Sequence, residues 1–394
     1  MPLRAILKVI YAPHKAFKEL AQNPRYIGVF ILMIFVILAN MGYIYVATTK
    51  AYVEQTAPKA AEKDTWTENK ALWTSELLEV NISENYDDYI NGTVYGNRSI
   101  QFSIVNSSRI SMQLENVEPV NCSEPDGFKS LFMRVKQTIP ETKPKNVTLY
   151  LFSASTSNYF YYNLTQSFSD SIVNHWNNLT VTLKSDGWSR NSPAANWETI
   201  TGLKLEFSWP GDSNITLRVE GLFFRGIFKT LMESVGTDYF LAYPVYVFTQ
   251  FVFNWFILGT LVFIMSRGLG AKASWKTVSI LAGFTLVALL VQTLINAAAY
   301  ATLPSLYYRL ELVSGVKGES DIAYDELMKI AWPVPDIVSY AQIATRIWNV
   351  ILCIFAVRFS TDMSWGKSIL VAAVAYMITT LVVGMLLSLF MLGF

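Results

Sequence analysis

Five long apolar segments constrain the fold of this chain more than any other feature. A helix needs about 20 apolar residues to cross the hydrocarbon core of a bilayer, and each segment reaches that length. Only 15% of the 394 residues are charged, whereas soluble domains carry roughly a quarter. We therefore predict a multi-pass α-helical membrane protein with five transmembrane helices. The predicted spans are residues 26–47, 244–266, 278–303, 338–357 and 369–393.

The charged residues predict how these helices are oriented. Lys and Arg accumulate in the cytoplasmic loops of membrane proteins, and here they dominate residues 1–25, 267–277 and 358–368. The loop at residues 304–337 is acidic instead, with six carboxylates against three basic side chains. We expect the N-terminus in the cytoplasm. The acidic loop, the long segment between the first two spans and the C-terminus are expected outside the plasma membrane.

Residues 1–25 form a predicted cytoplasmic amphipathic segment. Leu3, Ile6, Leu7 and Ile10 fall on one helical face, beside basic residues. This pattern is typical of a helix that lies at a lipid surface, and a helix docked on the transmembrane bundle would share it. The helix is expected to end at Pro13.

Nine Asn-X-Ser/Thr sequons lie between the first and second predicted spans. Such asparagines are glycosylated only on the outer or lumenal side of a membrane. A Ser-, Thr- and Asn-rich sandwich also produces sequons by chance. The confinement of all nine to the segment that charge places outside favours a glycoprotein. The asparagines are Asn81, Asn91, Asn97, Asn106, Asn121, Asn146, Asn163, Asn178 and Asn214.

Residues 76–226 alternate between apolar and polar side chains, as half-buried strands do. Turn-rich stretches such as Glu124–Gly127 separate the alternating runs. Many short strands at this spacing predict an extracellular all-β sandwich, inserted between helices 1 and 2. Residues 48–75 are charged and helix-prone, and we expect a helical stalk there. The alternating runs begin at Ile100, Leu131, Val147, Leu179, Leu203 and Leu217.

The end of this segment resembles a jelly-roll module of the carbohydrate-binding, galactose-binding-like type. The residues that carry the resemblance are 176–183, 197–207 and 215–224. The resemblance implies a jelly-roll ectodomain. Modules of this type commonly have two aspartates on the last strand, where this chain has Glu220 and Gly221.

Glycan binding would use an aromatic platform with planar polar side chains beside it. Aromatic residues of sandwiches also serve as core or rim packing, so a structural or protein-contact module is the alternative. A glycosidase would need two carboxylates at a fixed separation, which the sequence does not define, and we predict no catalytic residues. The candidate glycan contacts are Tyr159, Tyr161, Tyr162, Trp188 and Trp197.

Cofactor and metal chemistry finds little support in the sequence. A structural zinc site takes about four Cys or His ligands at short spacing, and the two cysteines and two histidines are scattered over the chain. The string from Gly268 to Ala273 matches part of a dinucleotide fingerprint but follows an apolar helix instead of a strand. We expect no metal, no cofactor, no disulfide and no nucleic-acid partner.

The fourth span contains a polar face. Gln342, Arg346, Asn349 and Cys353 recur at positions i, i+4, i+7 and i+11, so they share one side of the helix. An arginine at membrane depth is costly and suggests a functional site. We therefore predict an intramembrane polar site at Gln342, Arg346 and Asn349. The arginine could instead bond backbone carbonyls or the amides of other spans, or contact a lipid phosphate.

The membrane portion resembles a Yip1-domain protein of the prokaryotic, archaeal kind. The matching residues are 7–20, Asn23-Pro24, 347–352 and 364–367, together with five spans and a cytoplasmic N-terminus. A sandwich of this size between the first two spans departs from the compact family pattern. Eukaryotic relatives work in membrane organisation through partners, so the resemblance implies a non-enzymatic role.

These observations lead to one expected function and one alternative. We expect a membrane scaffold or accessory subunit that displays a glycosylated sandwich for contact with envelope proteins or glycans. The alternative is a permease-type component for a small solute or lipid, with the ectodomain capturing the substrate. Transport would need a polar pathway lined by several helices, and polar groups are sparse in the predicted spans.

Overall fold

The computed structural model describes residues 2–392, without the side chains of residues 2, 237–239, 241 and 390–392. The described chain forms two compact units. One comprises Met1–Tyr52, Thr230–Leu306 and Met328–Phe394, and the other Val53–Lys229 and Tyr307–Leu327. The first is helical and is called the bundle, and the second is called the sandwich. The end of the fifth predicted span at Gly393 and the C-terminal Phe394 lie outside the described residues.

Helices and strands are numbered separately in chain order. The helices are α1 Pro2–Tyr11, α2 Pro13–Gln22, α3 Ile27–Lys50, α4 Thr165–Ser169, α5 Leu231–Val235, α6 Thr237–Gly268, α7 Trp275–Thr285, α8 Val287–Ala301, α9 Leu310–Ser314, α10 Glu319–Ala331, α11 Val334–Thr361 and α12 Trp365–Leu392. The strands are β1 Ala51–Ala57, β2 Trp73–Thr74, β3 Asn81–Asn85, β4 Ser99–Leu114, β5 Ser130–Ile139, β6 Asn146–Ser153, β7 Ser155–Asn163, β8 Asn177–Thr182, β9 Ser189–Arg190, β10 Ile200–Thr230 and β11 Leu306–Tyr308.

The prediction of five long apolar helices is confirmed within the described residues. Helices α3, α6, α11 and α12 each supply one candidate span, and α7 and α8 together supply another. The break between α7 and α8 falls at Leu286. All side chains from Val278 to Thr285 are buried, so α7 lies in the interior of the bundle.

Close approach of α3 and α7 depends on two glycines. A Cβ atom on Gly28 would lie 2.4 Å from the Phe284 ring, and one on Gly283 would lie 2.5 Å from Val29. Real Cβ atoms do not approach other atoms so closely, so only glycine fits at either position without a shift of its neighbours. Small residues of this kind allow helices to pack tightly where the surrounding solvent is lipid.

The N-terminal segment folds as two helices that dock on the bundle. Pro13 occupies the first turn of α2, where its missing N–H is no loss, so it separates the two helices. Ile6 and Phe17 are buried in the bundle core, whereas Leu3 and Leu7 are exposed. The segment therefore combines a docked face with an apolar face that the bundle leaves uncovered.

The second unit is an antiparallel sandwich, as predicted. Strands β4 and β10 run beside each other along the whole sandwich, and their register shifts between Ser208 and Ile215. Before this corner β10 also pairs with β6, and after it with β5. The described strands form one continuous sheet, and the two long strands run through both layers of the sandwich. Side chains such as Phe102 and Leu205 are fully buried in its core.

The prediction of a helical stalk at residues 48–75 is wrong. After α3 ends at Lys50, the chain forms β1, two short 3₁₀ helices at Ala60–Glu62 and Lys70–Leu72, and β2. Strand β1 pairs with β10 on one side and with β11 on the other. Tyr52, Val53 and Thr56 favour extended structure, and Pro58 cannot continue a helix. The segment therefore pairs as a strand, although its composition is charged and helix-prone.

The acidic segment at residues 304–337 is likewise more than a loop. It forms β11, α9 and α10, and Tyr307–Leu327 belongs to the sandwich. Leu310 is buried with Phe132 and Phe223 of the sheet. The sandwich is therefore assembled from two parts of the chain, which are separated in sequence by helices α5 to α8.

Candidate functional site

The bundle contains a cavity of about 540 Å³ lined by side chains from α3, α6, α8, α11 and α12. Each helix that contributes to the lining supplies at least one polar side chain. These polar side chains include Asn40, Gln250, Asn254, Gln292, Thr293, Asn296, Thr345, Tyr376, Thr380 and Ser388. The expectation that polar groups are sparse holds for each span separately, but the fold brings these groups to one place.

All three residues predicted for the intramembrane polar site line this cavity. Gln342, Arg346 and Asn349 face it from α11. Asn349 is buried and its Oδ1 lies 3.7 Å from the sulfur of Cys353. The side chain of Arg346, by contrast, is exposed. Whether these residues bind a ligand stays a prediction.

Several polar groups of the cavity hold one another in place. The amide nitrogen of Asn40 donates to Thr293 Oγ1 at 3.1 Å, and Thr345 Oγ1 donates to Gln292 Oε1 at 3.2 Å. The Oδ1 atom of Asn296 is buried without a hydrogen-bond partner among the described residues. An unpaired buried acceptor is unusual in native structures.

Arg346 has no ion pair and no hydrogen bond within the part of the chain that the structure describes. The sequence leaves open whether it bonds the amides of other spans, and three of these amides, those of Asn40, Gln292 and Asn296, share its cavity. Gln250 and Asn254 were not identified from the sequence. Their i, i+4 spacing in an otherwise apolar span was the available signal.

The structure separates the five aromatic candidates for glycan contact into two groups. Trp188 and Trp197 are partly buried against the sandwich core. Trp197 stacks on Phe160 at a centroid distance of 4.0 Å, and Tyr162 contacts Trp188. These three candidates therefore contribute to packing, whereas Tyr159 and Tyr161 lie on the opposite side of β7.

Tyr159 and Tyr161 belong to a polar aromatic face that the sequence did not reveal. Tyr150 on β6 stands opposite Tyr161 on β7 and opposite Lys204 on β10. The Lys204 Nζ atom lies 4.3 Å from the centre of the Tyr150 ring and 2.8 Å from a Glu76 oxygen. We call Tyr150, Tyr159, Tyr161 and Lys204 the tyrosine face.

Glu220 and Gly221, which replace the acidic pair of the resembled modules, form part of a buried polar cluster. Both Glu220 oxygens accept from the Ile90 N–H, at 2.8 and 2.7 Å. The Gly221 N–H donates to Asp64, also fully buried, at 3.1 Å. Burial raises the pKa of Glu220 to about 9 and also raises the pKa of Asp64. Glu220 is therefore protonated at neutral pH.

A second polar cluster joins the acidic segment to the sheets. Arg225 makes paired contacts with Glu54 at 2.7 and 3.1 Å and with Glu311 at 2.6 and 2.8 Å. Burial alone would raise the pKa of Glu311, but its bonds to Arg225 hold that pKa below its usual value. Arg134 makes a further link, at 2.7 Å to Glu319. Because the guanidinium is planar, such paired contacts fix orientation as well as charge.

All nine sequon asparagines are exposed on the sandwich. Asn146 Nδ2 lies 3.2 Å from the hydroxyl of Thr148 in its own sequon. Asn178 Nδ2 has a long contact of 3.4 Å with Glu319. The side-chain positions are thus compatible with modification at every predicted site.

The apolar helices and the sandwich define a membrane protein with one large antiparallel β unit. Residues 192–387 match the family model of the Yip1 domain. The Yip1 resemblance predicted from the sequence is therefore confirmed over these residues. The match includes residues 347–352 and 364–367, whereas residues 7–20 lie outside it.

Solved structures similar to this chain include carbohydrate-binding β-sandwiches. One is a carbohydrate-binding module of the β-sandwich superfamily, at 10% identity and a TM-score of 0.26 over 39% of this chain and 57% of that chain. Another is an exo-β-agarase, at 12% identity and a TM-score of 0.29 over 41% of this chain and 24% of that chain. A third is the family 11 carbohydrate-binding module from Clostridium thermocellum in complex with a mixed-linked tetrasaccharide. Its identity is 9% and its TM-score 0.30, over 44% of this chain and 96% of that chain.

The chain spans less than two thirds of the first two of these structures. No curated protein matches it. With identities of 9–12% and TM-scores no higher than 0.30, the function of the sandwich has to be argued from its own residues.

Proposed function

We propose that this protein is a non-enzymatic membrane scaffold or accessory subunit. Its Yip1 domain and first span anchor it in the bilayer, and its glycosylated sandwich faces the outside of the cell. There the sandwich contacts envelope proteins or glycans. The N-terminus is cytoplasmic in this arrangement.

The observation that carries the proposal is the exposure of all nine sequon asparagines on one unit. Six of these asparagines lie in strands, namely Asn81, Asn106, Asn146, Asn163, Asn178 and Asn214. Even in strands, where alternate side chains point into the core, each one points to solvent. A surface that carries glycans at these positions would be soluble outside the cell and would leave only unglycosylated patches free for contact.

The tyrosine face is the patch that suits such a contact. Tyrosine offers a flat apolar surface and a hydroxyl, a combination common in recognition surfaces. Tyr161 is 41% exposed, and Lys204 with Glu76 and Glu206 supplies charged groups beside the rings. Aromatic rings and polar side chains of this kind can stack on and hydrogen-bond a sugar or a protein loop.

The proposal is tested by purification of the full-length protein from its native membrane in mild detergent, after chemical cross-linking. Wild type is expected to recover specific envelope proteins or glycan. For the double variant Tyr150→Ala, Tyr161→Ala, the amount of partner recovered is expected to fall at least about tenfold. Tyr86→Ala is the matched control, because Tyr86 is an exposed tyrosine near β3. Recovery of the chain alone would contradict the scaffold role.

A second candidate function is favoured by the cavity in the bundle. Side chains from all five spans line it, and a permease-type component for a small solute or lipid would need such a polar site. Liposomes that contain the purified protein distinguish the two functions. Flux of solute or lipid by a chain that recovers no partner would establish the permease role in place of the scaffold.

A further inference from the structure

We propose that the cavity of the bundle binds a phosphate group, carried either by a lipid headgroup or by a small soluble phosphate ester, with Arg346 as its charged anchor. The proposal adds a ligand class to the bundle. It is independent of the scaffold role proposed for the sandwich.

The charge of the cavity points to an anion. Among the described residues that line it, Arg346 is the one with a formal charge, and Asp and Glu are missing from that lining. A cation at membrane depth is costly unless an opposite charge or several acceptors surround it. Since Arg346 has neither an ion pair nor a hydrogen bond among the described residues, an anionic ligand would supply the missing compensation.

Arg346 lies near the middle of α11, and we expect a bilayer around this helix to keep the charge away from the aqueous interfaces. It lies 12 residues after Val334 and 15 residues before Thr361, which at 1.5 Å per residue is about 18 Å and about 22 Å along the helix. Electrostatic attraction between charges is stronger in this setting than at a protein surface. A ligand that enters the cavity would therefore meet the guanidinium in a weakly screened environment.

The polar groups around Arg346 suit the oxygens of a phosphate. A guanidinium presents several N–H donors in one plane and pairs with phosphate through two parallel hydrogen bonds. Gln342 and Asn349 face the same cavity from the same helix and carry further N–H donors. Gln292 accepts from Thr345 through Oε1, which leaves its amide nitrogen directed elsewhere.

Apolar side chains supply another part of the lining. Phe251, Leu286, Leu289, Val383 and Leu387 contribute to it. A lipid would place its phosphate near Arg346 and its acyl chains along these residues, whereas a soluble ester would use the polar side alone. The phosphate chemistry is common to both ligands, and the two sources differ in whether acyl chains are needed.

The purified full-length protein in detergent tests the site, by thermal unfolding and native mass spectrometry with three probes. Dioleoyl phosphatidic acid represents the lipid source and glycerol 3-phosphate the soluble source. Dioleoylglycerol is the lipid control that lacks phosphate. We expect one of the two phosphate probes to stabilise the protein and dioleoylglycerol to have no comparable effect. Equal effects of all three probes, or no effect of either phosphate probe, would overturn the proposal.

Variants on α11 assign the binding to Arg346. Arg346→Gln is expected to weaken phosphate-probe binding at least about tenfold, because a charge-assisted contact is lost. Arg346→Lys should retain part of the affinity, since it keeps the charge without the planar pair of donors. Arg358→Gln is the matched control on the same helix, because Arg358 lies near the C-terminal end of α11 and donates to the Met363 carbonyl.

Three outcomes decide between a ligand site and a structural anchor. If Arg346→Gln lowers the melting temperature but leaves the probe-induced shift unchanged, the arginine is an anchor and the proposal fails. If the variant does not fold, Asn349→Ala and Gln342→Ala must weaken the phosphate probes for the proposal to stand. Partner recovery through the sandwich is measured separately, so its loss would contradict the scaffold role alone.

Discussion

Glu220 illustrates how burial sets the charge of a single side chain in this protein. Its carboxyl is fully buried, and the Ile90 N–H is its hydrogen-bond donor among the described residues. The ionised form would need more compensation than one donor provides. The proton it keeps at neutral pH therefore makes the stability of the sandwich sensitive to pH.

This sensitivity is our first prediction. The folded-state pKa of Glu220 is raised to about 9 from an ordinary 4.5, so the folded state holds a proton that the unfolded state loses. The contribution is fully present below about pH 4.5 and is lost as the pH rises to about 9. Glu220→Gln keeps a neutral acceptor for Ile90 and is expected to unfold on the order of 5 °C higher than wild type at pH 8, with the difference vanishing near pH 4.

Thermal unfolding of the full-length protein between pH 4 and pH 9 measures the effect. Glu326→Gln is the control, because Glu326 is exposed on α10. Parallel pH profiles for wild type and Glu220→Gln would mean that the buried carboxyl does not titrate as described.

At the residue scale, the sequence identified the charged anchor of the candidate site and some possible neighbours, but not which side chains surround it. Arg346 stands out because an arginine interrupts an apolar span, and period 3.6 places Gln342 and Asn349 beside it. Asn40, Gln250 and Gln292 come from other helices, and helical period does not define which faces of separate helices meet. Tyr150 was missed for a similar reason, since its neighbours depend on the register of β6, β7 and β10.

Helix packing in the bundle depends on a few positions without side chains, which gives a prediction at the element scale. Gly28→Val would push two methyl groups into the Phe284 ring and is expected to destabilise the bundle by about 1–3 kcal/mol. Gly42→Val on the same helix is the matched control, because a Cβ atom at Gly42 meets no described atom within 4 Å.

The melting temperatures of the two variants in detergent measure this difference. Both substitutions replace glycine by the same β-branched residue within α3, so helix propensity is held constant. A loss of stability that is equal in the two variants would show that propensity, and not the approach of α3 to α7, limits packing.

Element type was predicted well where the pattern is long and periodic. Strands β4, β5, β6, β8 and β10 occur where alternation predicted them, and the five apolar segments are helices. The failure at residues 48–75 has a local cause, because charged helix-prone residues there pair as a strand within the sheet. The turn-rich stretch around Gly211 is a corner within β10, since the register shift lets the strand continue through it.

Orientation in the membrane is a property of the whole molecule, and it carries our third prediction. Lys272 lies between α6 and α7 on the side that we predict to be cytoplasmic, and Asp212 lies on the sandwich that we predict to be outside; both are exposed. A membrane-impermeant thiol reagent is expected to label Asp212→Cys in intact cells and Lys272→Cys only after permeabilisation. Both native cysteines are buried, so background labelling should be low.

The matched control is the same pair of variants in permeabilised cells, where both should react. Labelling of Lys272→Cys in intact cells, or a glycan on an asparagine outside residues 81–214, would reverse the predicted orientation. The test needs no knowledge of ligand or partner.

At this scale the sequence also missed which parts of the chain fold together. Acidic residues at 304–337 were assigned to a loop, because nothing in their local pattern signals a distant arginine. Glu311 pairs with Arg225 across 86 residues of sequence, and Glu319 with Arg134 across 185. Pairings of such separation are determined by the tertiary fold alone.

The division of the sandwich between two chain segments has a consequence for biosynthesis. A ribosome completes residues 53–229 well before it reaches Tyr307–Leu327, and the four helices α5 to α8 must be synthesised in between. Until then Arg134 and Arg225 lack their later carboxylate partners, and the core around Phe223 lacks Leu310. Non-local contacts of this kind delay folding. The nascent sandwich would therefore remain a substrate for chaperones until the third span has been synthesised. Completion of the sandwich would then indicate that synthesis of the membrane spans has proceeded.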